Sequence, residues 1–339
     1  MRFSVFSTLL KKNAGMRLLA ASLALSTLAS CSIKPRSLAL QEQAAQALKE
    51  GKPVVAKALF NQAIESANQT GQPADTLESY RQAAILSIGT DPTGKRPSEL
   101  ANRAVELAEQ KYGIADPRII PYLSCAGQVA YRHHDFETAE KFYSRALSLH
   151  DAARQPDDLA FSEILGGLIS ASCAGGKCID AEPLYKRLIA VRTREFGADH
   201  EHTLSASMMY AENCERRKKY AQAREIYMTC VRSAQNRNPQ LLPALLSGIG
   251  RLYNLEGRYT EAEQALNSAA RLIATNPQSP DRYRIYGELA TTNAHLNRRP
   301  QAEMFYKLAI EAATRATGGE SPETTSLRSA YDRFKTPAN

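Results

Sequence analysis

The chain has 339 residues, 43% of them hydrophobic, no tryptophan, and a formal net charge of +8. Four positive side chains, Arg2, Lys11, Lys12 and Arg17, lie near its start, and subtracting them leaves +4 over residues 31–339. So mild a balance excludes nucleic-acid binding driven by bulk charge, and protein partners are expected instead.

The first thirty residues stand apart from the rest. Their basic start contains no acid, and Leu18 to Ala29 is an apolar run of twelve. As a helix those residues span about 18 Å, short of a bilayer core of about 30 Å, so the run reads as a secretory signal. Met16 is an alternative start, because the signal from there onward suffices. The signal ends in Leu28-Ala29-Ser30-Cys31, which resembles the lipobox of bacterial lipoproteins. That resemblance implies cleavage before Cys31, acylation of its sulfur and then its amine, and an anchor of several acyl chains, stable where one would be marginal. Ser32, in place of Asp, implies the periplasmic face of the outer membrane. The expected segments are a signal at 1–30, a lipidated linker at 31–36, about seven repeats at 37–319, and a capping helix and tail at 320–339.

From there a phrase of three residues, spaced four and then three apart, recurs seven times. Its members are Ala56/Phe60/Ala63, Pro97/Ala101/Ala104, Ala139/Tyr143/Ala146, Ala181/Tyr185/Leu188, Ala223/Tyr227/Cys230, Ala262/Leu266/Ala269 and Ala302/Tyr306/Ala309. First members lie 41, 42, 42, 42, 39 and 40 residues apart. Spacings of four and three set side chains on one stripe of a helix, and a fixed period of this length means stacked supersecondary units. Twelve residues before each phrase lies another small or apolar residue: Ala44, Ile85, Gly127, Ile169, Ala211, Gly250 and Ala290. Each unit is therefore a helix A, a tight turn that often holds glycine, and a helix B.

The stretches Leu245–Ala270 and Tyr122–Leu147 resemble tetratricopeptide repeats, with Gly250, Tyr253, Gly257, Tyr259, Ala262 and Ala269 at the consensus places. The longer period and the stretch Ala181–Glu212 resemble the kinesin-light-chain variety. The resemblance covers about residues 37–335 and implies an all-α fold, a right-handed superhelical solenoid of helix-turn-helix repeats. The extra length is assigned to helix B, stopped by Gly113, Gly197 and Gly318. Pro97 departs from alanine and suits the first turn of its helix. Linkers at Ala115–Pro117, Asp199–Thr203 and Ser279–Asp281 suit caps for the next helix A.

Such solenoids bind in a concave groove lined by helix A. Carried over, that groove takes in Gln128, Tyr131, Arg132, Met208, Glu212, Glu215, Arg251 and Asn254, a surface that suits a helix or extended peptide. The asparagines and lysines of the family's carboxylate clamp are missing. The turn edge is basic, most densely at Arg216, Arg217, Lys218 and Lys219, and the opposite edge is acidic; helix-dipole compensation and an anionic partner both account for that. Cys173 and Cys178 flank a turn and either bridge it or pack as small residues, and Cys230 reads as packing.

His133/His134 and His200/His202 lack further metal ligands. Gly175-Gly176-Lys177 lacks the strand that precedes a phosphate loop. No catalytic constellation, cofactor, metal or small-molecule substrate is therefore expected. The reading is a lipid-anchored scaffold of the bacterial envelope that binds other envelope proteins through its groove. The alternatives are a regulator of a cell-wall, secretion or pilus-assembly enzyme, or a cytoplasmic signalling repeat protein.

Overall fold

The computed structural model describes residues 35–89, 94–176, 181–274, 276 and 279–336. The signal segment, Cys31, Lys177 and Cys178 lie outside them. The described residues form helices and no strands. Helices A and B alternate: α1 (Arg36–Lys49) and α2 (Pro53–Gln69), α3 (Leu77–Ile88) and α4 (Arg96–Tyr112), α5 (Ile120–Arg132) and α6 (Phe136–Ala152), α7 (Leu159–Ala174) and α8 (Glu182–Phe196), α9 (Glu201–Arg216) and α10 (Tyr220–Arg237), α11 (Leu242–Leu255) and α12 (Tyr259–Ile273), α13 (Arg282–His295) and α14 (Arg299–Thr317). A last helix, α15 (Pro322–Lys335), follows. This is an all-α helical repeat solenoid, as the periodicity predicts. It falls into two compact units, divided between Val129 and Ala130 within α5.

Every residue of the seven phrases is buried. In most of them small first and third members let helix A lie close to helix B, and a larger second member fills the space to a neighbouring helix. A Cβ on Gly167 would lie 2.3 Å from the Tyr143 ring, and one on Gly248 would lie 2.8 Å from the Tyr227 ring. Both glycines are thus seats for a tyrosine of the preceding helix B. Gly250 seats Leu266 of its own repeat in the same way, at 2.5 Å. Tyr185 instead stacks on Tyr210, ring centroids 5.3 Å apart, and Tyr306 stacks on Tyr331 of α15 at 5.5 Å.

One crossing position moves. Ile85 is only half-buried, whereas Ala84 is fully buried. In the other repeats the residue twelve before the phrase is itself buried.

Each described turn from A to B carries one residue of positive φ five places before the phrase: Gly51, His134, Gly176, Lys218, Gly257 and Asn297. At all of these but Gly176, whose next residue lies outside the described ones, the backbone closes as a Schellman motif, in which the next amide reaches the carbonyl five residues earlier, as from Arg258 to Tyr253 at 2.8 Å and from Lys219 to Cys214 at 2.8 Å. Glycine is the unstrained choice for this conformation, and half of these turns do without it.

The stops after helix B are as expected, with Gly113, Gly197 and Gly318 at φ of 96°, 96° and 95°. Six residues beyond each glycine a buried side chain pins the loop. The Thr203 and Thr324 hydroxyls donate to the Gly197 and Gly318 carbonyls at 2.8 Å, and Ile119 takes the equivalent place after Gly113. Of the three capping linkers, Asp116 accepts from the Arg118 amide at 2.8 Å, and His200, not Asp199, caps α9 through Nδ1. Asp281 makes no side-chain cap.

Candidate functional site

Within the second unit, helices α11, α13 and α15 enclose a cleft of about 300 Å³. Tyr306, the second phrase residue of the last repeat, lines it, as do Arg251 and Glu288 from neighbouring helices A. Gly287 opens the wall beside Glu288, since a Cβ there would come within 3.0 Å of Leu327 on α15.

A polar ladder that includes Arg251 and Glu288 of this lining runs across three successive helices A. Arg251 on α11 donates twice to Glu215 Oε2 on α9, from Nη2 at 2.7 Å and from Nε at 3.1 Å. Asn254 Nδ2 donates to Glu288 Oε2 on α13 at 2.9 Å, and the Thr292 hydroxyl donates to Asn254 Oδ1 at 2.9 Å. Burial pushes the Glu288 carboxyl above the usual carboxylate range, against the opposite pulls of Asn254 and Arg251. In the first unit a second cleft, of about 360 Å³, is mostly apolar; Leu38, Ala45, Leu48 and Phe60 line it, with Glu42 and Glu78 alongside.

The structure brings Glu215, Arg251 and Asn254 together. It does not join the other groove residues to them. Gln128 and Arg132 are exposed on α5, and the half-buried Tyr131 ring lies 5.5 Å from Phe136. Met208 is half-buried and Glu212 exposed on α9. Sequence reasoning missed Glu288 and Thr292. Glu288 stands two residues before the small helix-A residue Ala290, where Gly167 and Gly248 stand before Ile169 and Gly250. A charged residue at a place that seats a tyrosine ring in two other repeats was the available signal.

Residues 161–236 and 241–324 match the family model described as tetratricopeptide repeat. These are tetratricopeptide repeats. The model describes a repeat module and names no catalytic family. Solved structures agree in fold. The apo form of RapI superposes with a TM-score of 0.61 at 14% identity, covering 88% of this chain and 86% of that one. The apo quorum sensor NprR of B. thuringiensis gives 0.58 at 13%, covering 88% and 82%. BtubC (BKLC) of P. vanneervenii gives 0.53 at 18%, covering 70% and 92%, and a putative kinesin light chain of Podosopora anserina gives 0.50 at 14%, covering 60% and 98%. The likeness to kinesin-light-chain repeats is thus structural. No curated protein matches the chain by sequence.

Part of the basic edge ties one repeat to the one before. Lys219 lies 3.5 Å from Glu182, and Arg298 lies 2.5 Å from Glu263. In both pairs a base four residues before one phrase meets an acid one residue after the start of the preceding phrase. Between α10 and α11 the polarity is reversed: Arg224, one residue after its phrase begins, meets Glu256 of the next turn at 2.5 Å. Arg216 Nη2 donates to Cys173 Sγ at 3.2 Å. Arg217 is half-buried, and Lys218 is exposed at φ 58°. Inter-repeat pairing therefore explains part of the edge that dipole compensation and a partner were set to explain.

The half-buried Cys173 also lies 3.7 Å from the Tyr185 hydroxyl. Burial pushes the Cys230 thiol up to about 11 and the Cys125 thiol up to about 12, so both pack as protonated small residues. The His200 and His202 rings pack on Phe196 at 4.7 and 5.2 Å. Among the described residues no cluster of three or more metal-ligating side chains occurs, and no helix is long and apolar enough to cross a membrane.

Proposed function

We propose that the chain is a non-catalytic scaffold, held to the bacterial envelope by acyl chains on Cys31, that takes a segment of a partner protein onto its helices A. The observation that carries the binding half is the cleft of about 300 Å³ among α11, α13 and α15, lined by charged, hydroxyl and aromatic side chains. A peptide needs such a surface: apolar area for affinity and a few placed polar groups for register. The resemblance of Leu28–Cys31 to a lipobox supports the anchor, and Ser32 supports the periplasmic face of the outer membrane.

Two measurements test the halves separately. Cells fed labelled palmitate should label the wild-type chain and not Cys31→Ser; equal labelling removes the anchor. A photocrosslinking residue at Glu212, exposed on helix A, should give a discrete adduct in cells. The same residue at Met304, exposed on α14, should give none. Equal yields at both sites would show a partner indifferent to the helix-A face.

A further inference from the structure

We propose that the cleft among α11, α13 and α15 receives a lysine or arginine side chain of the bound segment, with Glu288 as its counter-charge; this rests on the groove reading above.

Three observations converge on it. First, Glu288 occupies a packing position. Where Gly167 and Gly248 accept a tyrosine ring from the preceding helix B, the residue before Glu288 in that relation is Leu266, which packs on Gly250 instead. No ring fills the place, and a carboxylate stands there beside Gly287. Second, the carboxylate is half satisfied. Oε2 accepts from Asn254 at 2.9 Å, and Oε1 has no partner among the described residues. Third, the local cation is turned toward another acid, because Nε and Nη2 of Arg251 both donate to Glu215. Two carboxylates thus share one guanidinium, and Glu323 of α15 adds a further acid to the lining.

Burial holds the Glu288 carboxyl above its ordinary range, which is the mark of a charge short of compensation. An entering ammonium or guanidinium would supply it through a charge-assisted hydrogen bond in a partly desolvated site. The stem of a long basic side chain has Tyr283 and Tyr306 to lie against, and their rings favour a cation. Besides Arg251, the opposing charge in the lining is Arg284, one turn before Glu288. It is exposed, and its Nε donates to the Tyr283 hydroxyl at 3.1 Å. Arg284 therefore works against a basic ligand, and its removal should favour one.

The test is a position-scanning hexapeptide library presented to the full chain in mild detergent. Lysine and arginine should be retained about tenfold over norleucine at one library position, the scale of one charge-assisted bond. Glu288→Gln, which keeps an acceptor for Asn254, should flatten that preference while melting no lower than wild type. Arg284→Ala should steepen it. Peptides retained with no basic preference, or with one that Glu288→Gln leaves intact, overturn this inference and spare the groove. A preference for acidic residues that Arg284→Ala abolishes overturns it too. If no peptide is retained at all, the groove reading falls with it.

Discussion

The clefts of the two units are built on one register and have opposite chemistry. Phe60 in the first and Tyr306 in the second are the same phrase position, and each lines its own cleft. Counting from the small residue of helix A, Leu38 corresponds to Arg284, Gln41 to Gly287, Glu42 to Glu288 and Ala45 to Thr291. The first cleft is walled mostly by carbon, whereas the second is crossed by hydrogen-bonded charge. The repeat fixes where a ligand side chain would stand and leaves open what that side chain is.

The units also differ in how their repeats lock together. The second phrase position holds Tyr143, Tyr185, Tyr227, Leu266 and Tyr306 in the second unit, against Phe60 and Ala101 in the first. If seated rings hold the second unit, Tyr227→Ala should cost about 3–5 kcal/mol, as deletion of a buried aromatic does. The urea midpoint followed by far-UV circular dichroism checks it, and a loss under about 1 kcal/mol would break the contrast.

Closing the seat instead of removing the ring should cost less. Gly248→Ala is expected to lose about 1–3 kcal/mol by overpacking, and combined with Tyr227→Ala it should be strongly sub-additive. Additive losses would mean that ring and glycine do not share one site.

Lys218→Gly should then raise stability by up to about 1 kcal/mol. It relieves a side chain held at φ 58°, partly offset by the greater freedom of glycine in the unfolded chain. Calorimetry reads the gain, and a fall would assign Lys218 contacts that outweigh its strain.

The smallest effect belongs to the ties between repeats. A double-mutant cycle on Lys219 and Glu182 should give about 0.2–1 kcal/mol, because both side chains are partly exposed. The coupling should shrink in high salt. A coupling that salt leaves untouched would point to a hydrogen bond in place of an ion pair.

Much of the site stayed illegible for one reason. Glu215, Arg251 and Asn254 were readable because the family's groove positions could be counted along helices A. Glu288 was not, because its place varies from repeat to repeat and serves at Gly167 and Gly248 as a contact to the preceding helix B. The pairing of Lys219 with Glu182, 37 residues away, likewise depends on two turns lying side by side, which no local spacing reveals.

By itself the sequence determined the helix pairs, the buried stripe and the glycine stops. These follow from 3.6-residue periodicity, side-chain size and the sign of φ, all of which act within one repeat or between adjacent helices. Only the tertiary structure decided which ring sits on which glycine, that Ala84 replaces Ile85 at a crossing, that half of the described turns hold positive φ without glycine, and that one carboxylate is left half-bonded beside a cleft. Those outcomes turn on distances of an ångström or less between residues some twenty to forty positions apart, and a repeat pattern specifies such pairs only to the nearest neighbouring helix.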